Sequence, residues 1–275
     1  MQPAANAWPD RPVFDGIFGA TANPLRLIFM IGAVWRLSRE PAADKVQILE
    51  IGSWCGASAL AWGEGIERYF GGNGKITCVD AWQPFVDLDT NQGGADRDMD
   101  AALRDGEPFE IFRHNIGFLP DSVAVDIRKG WSRDVLPKLP AGLYDLVYID
   151  GDHTYAGVLS DIEQAAPLVR TGGILCGDDL ELEAGQCDLG VLQARPNMDK
   201  HVDPARGVQY HPGVAKAVGE FFGPVSSWSG FWAMQKTTEG WAKISLNGMP
   251  PHIPRHLHPK SLMGLKALLM AEGLL

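Results

Sequence analysis

The chain has 275 residues, 45% of them hydrophobic and 21% charged, and a formal net charge of −10 with a pI near 5.1. That length suits one large α/β domain with appendages rather than two full domains. The acidic balance, with no basic patch anywhere along the chain, excludes a nucleic-acid surface, because phosphate contacts need concentrated positive charge.

In chain order, residues 1–44 read as an N-terminal arm. It lacks the basic-then-apolar start of a secretion signal, and its apolar run from Leu25 to Trp35 is too short and too flanked by arginine to span a bilayer. A cytoplasmic protein with no membrane partner is the expectation. From about residue 46, short β-branched runs alternate with longer helical ones, the pattern of βαβ units around a parallel sheet. Residues 46–51 form the first strand, 57–69 a helix, and 75–79 the second strand behind the turn Gly71-Gly72-Asn73-Gly74. A polar stretch over 83–97 reads as a loop or lid, followed by a helix over 99–119 that breaks near Gly106-Glu107-Pro108. Further strands fall at 124–128, 143–149 and 173–176, with an amphipathic helix from Tyr155 to Leu168 that stops at Gly172-Gly173. Residues 181–212 are irregular and too long for an ordinary connection, which marks them as a substrate-side loop. A helix over 213–222 and a β-hairpin over 225–236, turning at Ser229-Gly230, close the domain.

The expected architecture is therefore a doubly wound, mostly parallel sheet of seven strands with the last one antiparallel, spanning residues 45–236. A C-terminal extension, 237–275, adds a Pro-rich stretch and a helix from Ser261 whose leucines 262, 265, 268 and 269 recur at helical spacing. The N-terminal arm and this helix are the surfaces expected to carry any homo-oligomer contact. His252, His256 and His258 read as solvated residues of the Pro-rich stretch. The cysteines, Cys55, Cys78, Cys176 and Cys187, form no C-x-x-C pair, so structural zinc is not expected.

Two places carry chemistry. In Glu50-Ile51-Gly52-Ser53-Trp54-Cys55-Gly56-Ala57-Ser58, glycines follow the first strand and open a helix, which lets a ligand approach the backbone and meet free amides. This is not the G-x-G-x-x-G dinucleotide fingerprint. Glu50, Asp80 and Asp150 would ring the pocket, a poor setting for a pyrophosphate and a good one for a cation. The second place gathers Asp150, Asp152 and His153 at one strand end with Asp178 and Asp179 at the next. Adjacent strands lie about 5 Å apart, so Asp150, Asp178 and Asp179 could share one ion. As hard oxygen donors they suit Mg²⁺.

At these residues the chain resembles the class I S-adenosylmethionine-dependent methyltransferases, whose fold is Rossmann-like. The resemblance rests on motif order over residues 45–236. It implies S-adenosylmethionine bound by Glu50, Gly52, Ser53, Gly56, Ser58, Asp80 and Asp150. Gly130, Trp131 and Ser132 join them, resembling the segment that packs on adenine in the catechol O-methyltransferase branch. Asp150, Asp152 and the pair Asp178-Asp179 are similar to the site of divalent-metal-dependent O-methyltransferases acting on natural-product sugars. That similarity implies Mg²⁺ on Asp150, Asp178 and Asp179 and Asp152 as the base; the neighbouring His153 is a second candidate for the proton. The chain departs from such relatives after Asp179, where Leu180 leads into the long segment holding Cys187, His201, Tyr210 and His211. The implied reaction is methyl transfer to a hydroxyl of a small molecule, a sugar or sugar-bearing natural product ahead of a phenol. Two other readings stand beside it: a metal-dependent oxygenase, which histidine-plus-carboxylate ligation would favour, and a binding module without turnover.

Overall fold

The computed structural model describes residues 8–14, 23–40, 44–91, 93–257, 262, 264–271 and 273. The rest of the expected N-terminal arm, His258, and parts of the expected helix 261–275 lie outside them. Asn23 caps helix α1 (Pro24–Ser38) by accepting from the Leu25 amide, and Pro24 supplies a preset φ in its first turn. Five strands then run in parallel: β1 (Val46–Ile51), β2 (Gly74–Asp80), β3 (Val123–Lys129), β4 (Tyr144–Ile149) and β5 (Val169–Leu180). The spatial order is β3-β2-β1-β4-β5, so the winding reverses between β1 and β4. In open α/β sheets a ligand crevice forms at that reversal, outside the carboxyl ends of the strands.

Helices α2 (Ala57–Phe70), α3 (Gly94–Asp105), α4 (Glu107–Asn115), α5 (Ser132–Val135), α6 (Tyr155–Ala165), α7 (Leu189–Ala194) and α8 (Pro212–Phe222) fill the connections. The expected break falls at Gly106, whose φ of 75° ends α3 and starts α4. The region expected to be irregular is only partly so: it holds α7 and a small ribbon of β6 (His201–Val202) and β7 (Gln209–Tyr210).

Among the described residues the expected sheet of seven strands has eight. Strand β9 (Gly230–Thr237) lies antiparallel to β5, and its other edge is shared end to end by β8 (Ser226–Trp228) and β10 (Gly240–Lys243). The sheet thus runs past the expected domain boundary at residue 236. Strand β5 is also longer than expected: Val169 pairs with Tyr144 ahead of a register shift, and pairing with β4 resumes at Ile174 opposite Leu146, so Arg170–Gly173 form an unpaired bulge within the strand.

Strand alternation sorts the core into two layers. Val46 and Ile48 of β1, Leu146 and Tyr148 of β4, and Ile174 and Cys176 of β5 pack with α1 and α2. Leu49, Val147 and Leu175 pack with α6 and α8 on the opposite face. Beyond β10 the chain crosses α1 and α2: Met249 lies against Gly32, and Leu265 and Leu269 of α9 (Leu265–Ala271) join the first layer while Leu268 and Met270 stay exposed. No described helix is long and apolar enough to cross a membrane.

Candidate active site

The same alternation aims the acidic side chains. Glu50 continues the row of Val46 and Ile48, and Asp178 continues the row of Ile174 and Cys176, so both belong to the α1–α2 side.

Between β1 and α2 the chain turns tightly. Gly52, at φ 87°, donates its amide to Val79 O at 2.9 Å, and a Cβ there would lie 1.9 Å from the Asp150 carbonyl oxygen. Gly56, at φ 85°, opens α2 with no side-chain cap, leaving first-turn amides for a ligand. Four polar groups around this turn are buried without a hydrogen bond of good geometry: both Glu50 carboxylate oxygens, Ser53 Oγ and Trp54 Nε1. Burial pushes the Glu50 carboxyl up to about 7, and the nearby Ser58 and Ser53 hydroxyls pull it back only in part. Buried polar groups are normally paired, so this set calls for a partner.

Asp80 closes β2 with both oxygens on backbone amides, Trp54 N at 2.9 Å and Trp82 N at 2.6 Å. Burial raises its pKa despite those donors. Gly130 follows β3 and donates to Asp80 O at 2.8 Å, which brings Trp131 and Ser132, both half-buried, beside the end of β2. The Arg133 guanidinium covers the Trp131 ring at 5.0 Å. Asp150 extends the β4 ladder through its amide to Ile51 O at 2.9 Å and receives the Tyr148 hydroxyl at 3.1 Å. The expected cofactor residues are therefore gathered at the carboxyl ends of β1, β2, β3 and β4.

The acceptor side is built around β5. Asp179 adopts φ 62°, and the β5–β9 register shifts between Gly177 and Leu180. That kink interrupts alternation, so the carboxylates of Asp178 and Asp179 both reach one cation, Arg26 of α1. Arg26 Nη1 lies 3.0 Å from Asp178 Oδ1 and 2.5 Å from Asp179 Oδ1, its Nη2 pairs with Glu181, and its Nε donates to Ser229 O at 2.9 Å. Burial opposes the charge on Arg26, and the three carboxylates outweigh it.

His153 lies 3.0 Å from Asp179 through Nε2 and 2.7 Å from Asp199 through Nδ1, with Asp150 at 3.9 Å. Burial lowers its pKa, but Asp179, Asp150 and Asp199 raise it well above the ordinary histidine value. His211 completes the group, 3.2 Å from Glu181 and 3.8 Å from Asp179. Asp152 lines the same small cavity as Asp150, His153 and Asp178, but its oxygens accept from Thr154 N at 2.8 Å and Thr154 Oγ1 at 2.9 Å at the start of α6.

Arg26, Glu181, Asp199 and His211 were not among the residues expected from sequence. Arg26 and Asp179 are 153 positions apart, and no local spacing links them. The three acids expected to hold Mg²⁺ do not fit it as they stand. Mg²⁺ needs nearly octahedral oxygen donors, whereas Arg26 occupies Asp178 and Asp179 while His153 reaches Asp150 and Asp179. A different donor set, one nitrogen each from His153 and His211 with one Asp179 oxygen, lies within 4.8 Å of mutual separation.

Residues 49–180 match a family described as a methyltransferase domain. Over 143 residues the chain is 25% identical to the 8-demethyl-8-(2,3-dimethoxy-alpha-L-rhamnosyl)-tetracenomycin-C 4'-O-methyltransferase of Streptomyces olivaceus, covering 50% of this chain and 54% of that protein. The chain thus spans about half the length of the curated relative it matches. Among solved structures it is similar to the O-methyltransferase NovP, with a TM-score of 0.51 and 20% identity over 79% of this chain and 84% of that one. It is also similar to the O-methyltransferase from Bacillus cereus solved with SAH, at a TM-score of 0.44 and 17% identity over 80% and 78%.

Proposed function

We propose that this chain, whose residues 49–180 match a methyltransferase domain, is a class I S-adenosylmethionine-dependent methyltransferase that transfers methyl to a hydroxyl of a small molecule, a sugar or sugar-bearing natural product. The observation that carries this reading is the set of unpartnered polar atoms at the β1–α2 turn, Glu50 Oε1 and Oε2, Ser53 Oγ and Trp54 Nε1, beside Asp80 and Asp150. They ask for a ligand with cationic and hydroxyl groups and no phosphate. The rhamnosyl group in the name of the Streptomyces olivaceus relative supports the sugar class.

When bound, S-adenosylmethionine supplies a methyl group on a sulfonium, open to in-line attack by the acceptor oxygen; ether and thioether form as the carbon–sulfur bond breaks. Glu50, Gly52, Ser53, Gly56 and Ser58 would hold its amino-acid portion, Asp80 its ribose, and Trp131 with Gly130 and Ser132 its adenine. Asp150, at the end of β4 between the turn after β1 and His153, would lie beside both reactants. The hydroxyl proton passes to His153 rather than Asp152, because Asp152 is committed to Thr154 while His153 borders both Asp150 and Asp179. Asp179, Asp150 and Asp199 favour the protonated form of His153, so it takes the hydroxyl proton only in the fraction of molecules in which the ring is neutral. Asp179 and Asp199 orient the ring as carboxylates orient catalytic histidines elsewhere. Holding the two reactants in register contributes the rest of the acceleration.

A cytosolic setting goes with this reading, since all four cysteines are free. Calorimetric titration with S-adenosylmethionine, then transfer to a panel of hydroxylated glycosides and phenols, tests the assignment. Absence of cofactor binding would overturn it.

A further inference from the structure

The acids at the ends of β4 and β5 need a cation, and the fold already provides one. We propose that the Arg26 guanidinium is the resident counter-cation of the Asp178-Asp179-Glu181 cluster, occupying the place a divalent metal would take, and that this chain binds no Mg²⁺ there.

Three features of the structure converge on this. First, Arg26 is built in. It sits in the first turn of α1, a helix anchored by Leu27, Ile28, Met30 and Ile31 in the core, and its own side chain is only 13% exposed. A guanidinium held by its stem and by Ser229 O cannot withdraw without repacking α1 or the β8–β9 turn. Gly230 shows how close the fit is, since a Cβ there would lie 2.4 Å from Arg26 Nη2. Second, the guanidinium donates to two of the carboxylates, Asp179 and Glu181, and stands 3.0 Å from the third, Asp178, an arrangement its planar fork suits. A second cation on Asp178 or Asp179 would meet its full repulsion at close range in a partly buried setting. Third, the kink at Asp179 aims the acidic pair at α1. Such a strained backbone persists where the surroundings fix it.

Arg26 acts here as a positioning residue: it fixes Asp179, and Asp179 fixes His153. The inference rests on the methyltransferase reading only for its consequence, that transfer is insensitive to chelators. The cation assignment itself is independent of any acceptor.

The test is a titration of the metal-stripped full chain with Mn²⁺, followed by electron paramagnetic resonance as a visible stand-in for Mg²⁺, alongside thermal melts. Wild type should show no cluster-dependent uptake up to about millimolar Mn²⁺. Arg26→Gln removes the guanidinium and leaves only the two histidines beside the acids, so it should bind Mn²⁺ at least about tenfold more tightly than wild type, with a melting point that Mg²⁺ raises. Arg26→Lys keeps the charge and should stay metal-free. Adding Asp179→Asn to Arg26→Gln should abolish the gained binding. Wild-type uptake that Asp179→Asn removes would overturn the proposal, as would uptake that His211→Ala removes. A folded Arg26→Gln with no gain would also overturn it. If Arg26→Gln fails to fold, the wild-type titration decides alone. No reading depends on turnover, so failure to bind S-adenosylmethionine would sink the methyltransferase assignment and leave this result standing.

Discussion

Glu50 and His153 show how single residues carry the site. The buried Glu50 carboxyl has a pKa of about 7, above the unfolded value of 4.5. Ionising it therefore destabilises the ligand-free chain as pH rises through that window, and the penalty is complete above about 7. A cationic ligand at the turn reverses the preference. Binding of S-adenosylmethionine near pH 6 should then release up to about one proton, read as a dependence of calorimetric enthalpy on buffer ionisation enthalpy, and the dependence should fade by about pH 8.5. Glu50→Gln should bind more weakly with no buffer dependence. His153→Gln should lower kcat by roughly 10²–10⁴-fold, the range for loss of a general base, with cofactor affinity changed only a few-fold; equal loss of both would remove His153 from the proton path. At this scale the sequence was readable where chemistry is local. Asp150, His153, Asp178 and Asp179 stand at strand ends within short runs. Their partners do not: Arg26, Asp199 and His211 arrive from α1 and from the segment after β5, and hydrophobic patterning carries no sign of which distant charge meets which.

Elements were legible in proportion to their periodicity. The βαβ alternation, the break at Gly106 and the glycine turn after β1 follow from spacing and backbone freedom, and all three are present. Strand β5 was expected to start later because Thr171-Gly172-Gly173 reads as a helix stop, whereas those residues form a bulge between Val169 and Ile174, both paired with β4. Strand β10, with Trp241 and Ala242 among polar neighbours, has too little alternation to announce itself, and the edge of β9 recruits it. The glycine turn supplies a sharp test. Gly52→Ala puts a methyl 1.9 Å from the Asp150 carbonyl oxygen at a φ that only glycine adopts freely. It should cost roughly 2–5 kcal/mol in a denaturant melt and weaken cofactor binding. Retained stability would mean that the β1 and β4 turns are not stitched together as described.

Across the whole molecule, the segment after β10 is fastened to α2 by Glu64. Its carboxylate accepts the Arg255 amide at 2.7 Å and lies 2.8 Å from His252 Nε2. Burial raises the Glu64 pKa, but His256, His252 and the Arg255 amide outweigh it and leave it below the usual glutamate value. This depressed carboxylate stabilises fully above its unfolded pKa, and the contribution fades as pH falls through the folded value. Glu64→Gln should cost about 1–3 kcal/mol and speed proteolytic cleavage within residues 245–257, and acidification of wild type should do the same; cleavage unchanged by either would remove Glu64 as the fastening. His252 and His256 thus serve an internal tether, a role their Pro-rich setting did not disclose.

Helix α1 joins the two ends of the story. It precedes the sheet in the chain, yet the carboxylates that satisfy Arg26 belong to the last parallel strand and the residue that follows it. During synthesis on a ribosome, at about 5–20 residues per second, this arginine emerges early and waits several seconds before Asp178, Asp179 and Glu181 exist. An active pocket therefore cannot mature domain-first. It closes late, when the earliest helix meets the last parallel strand, and a nascent chain halted before residue 178 lacks all three carboxylates that Arg26 pairs with.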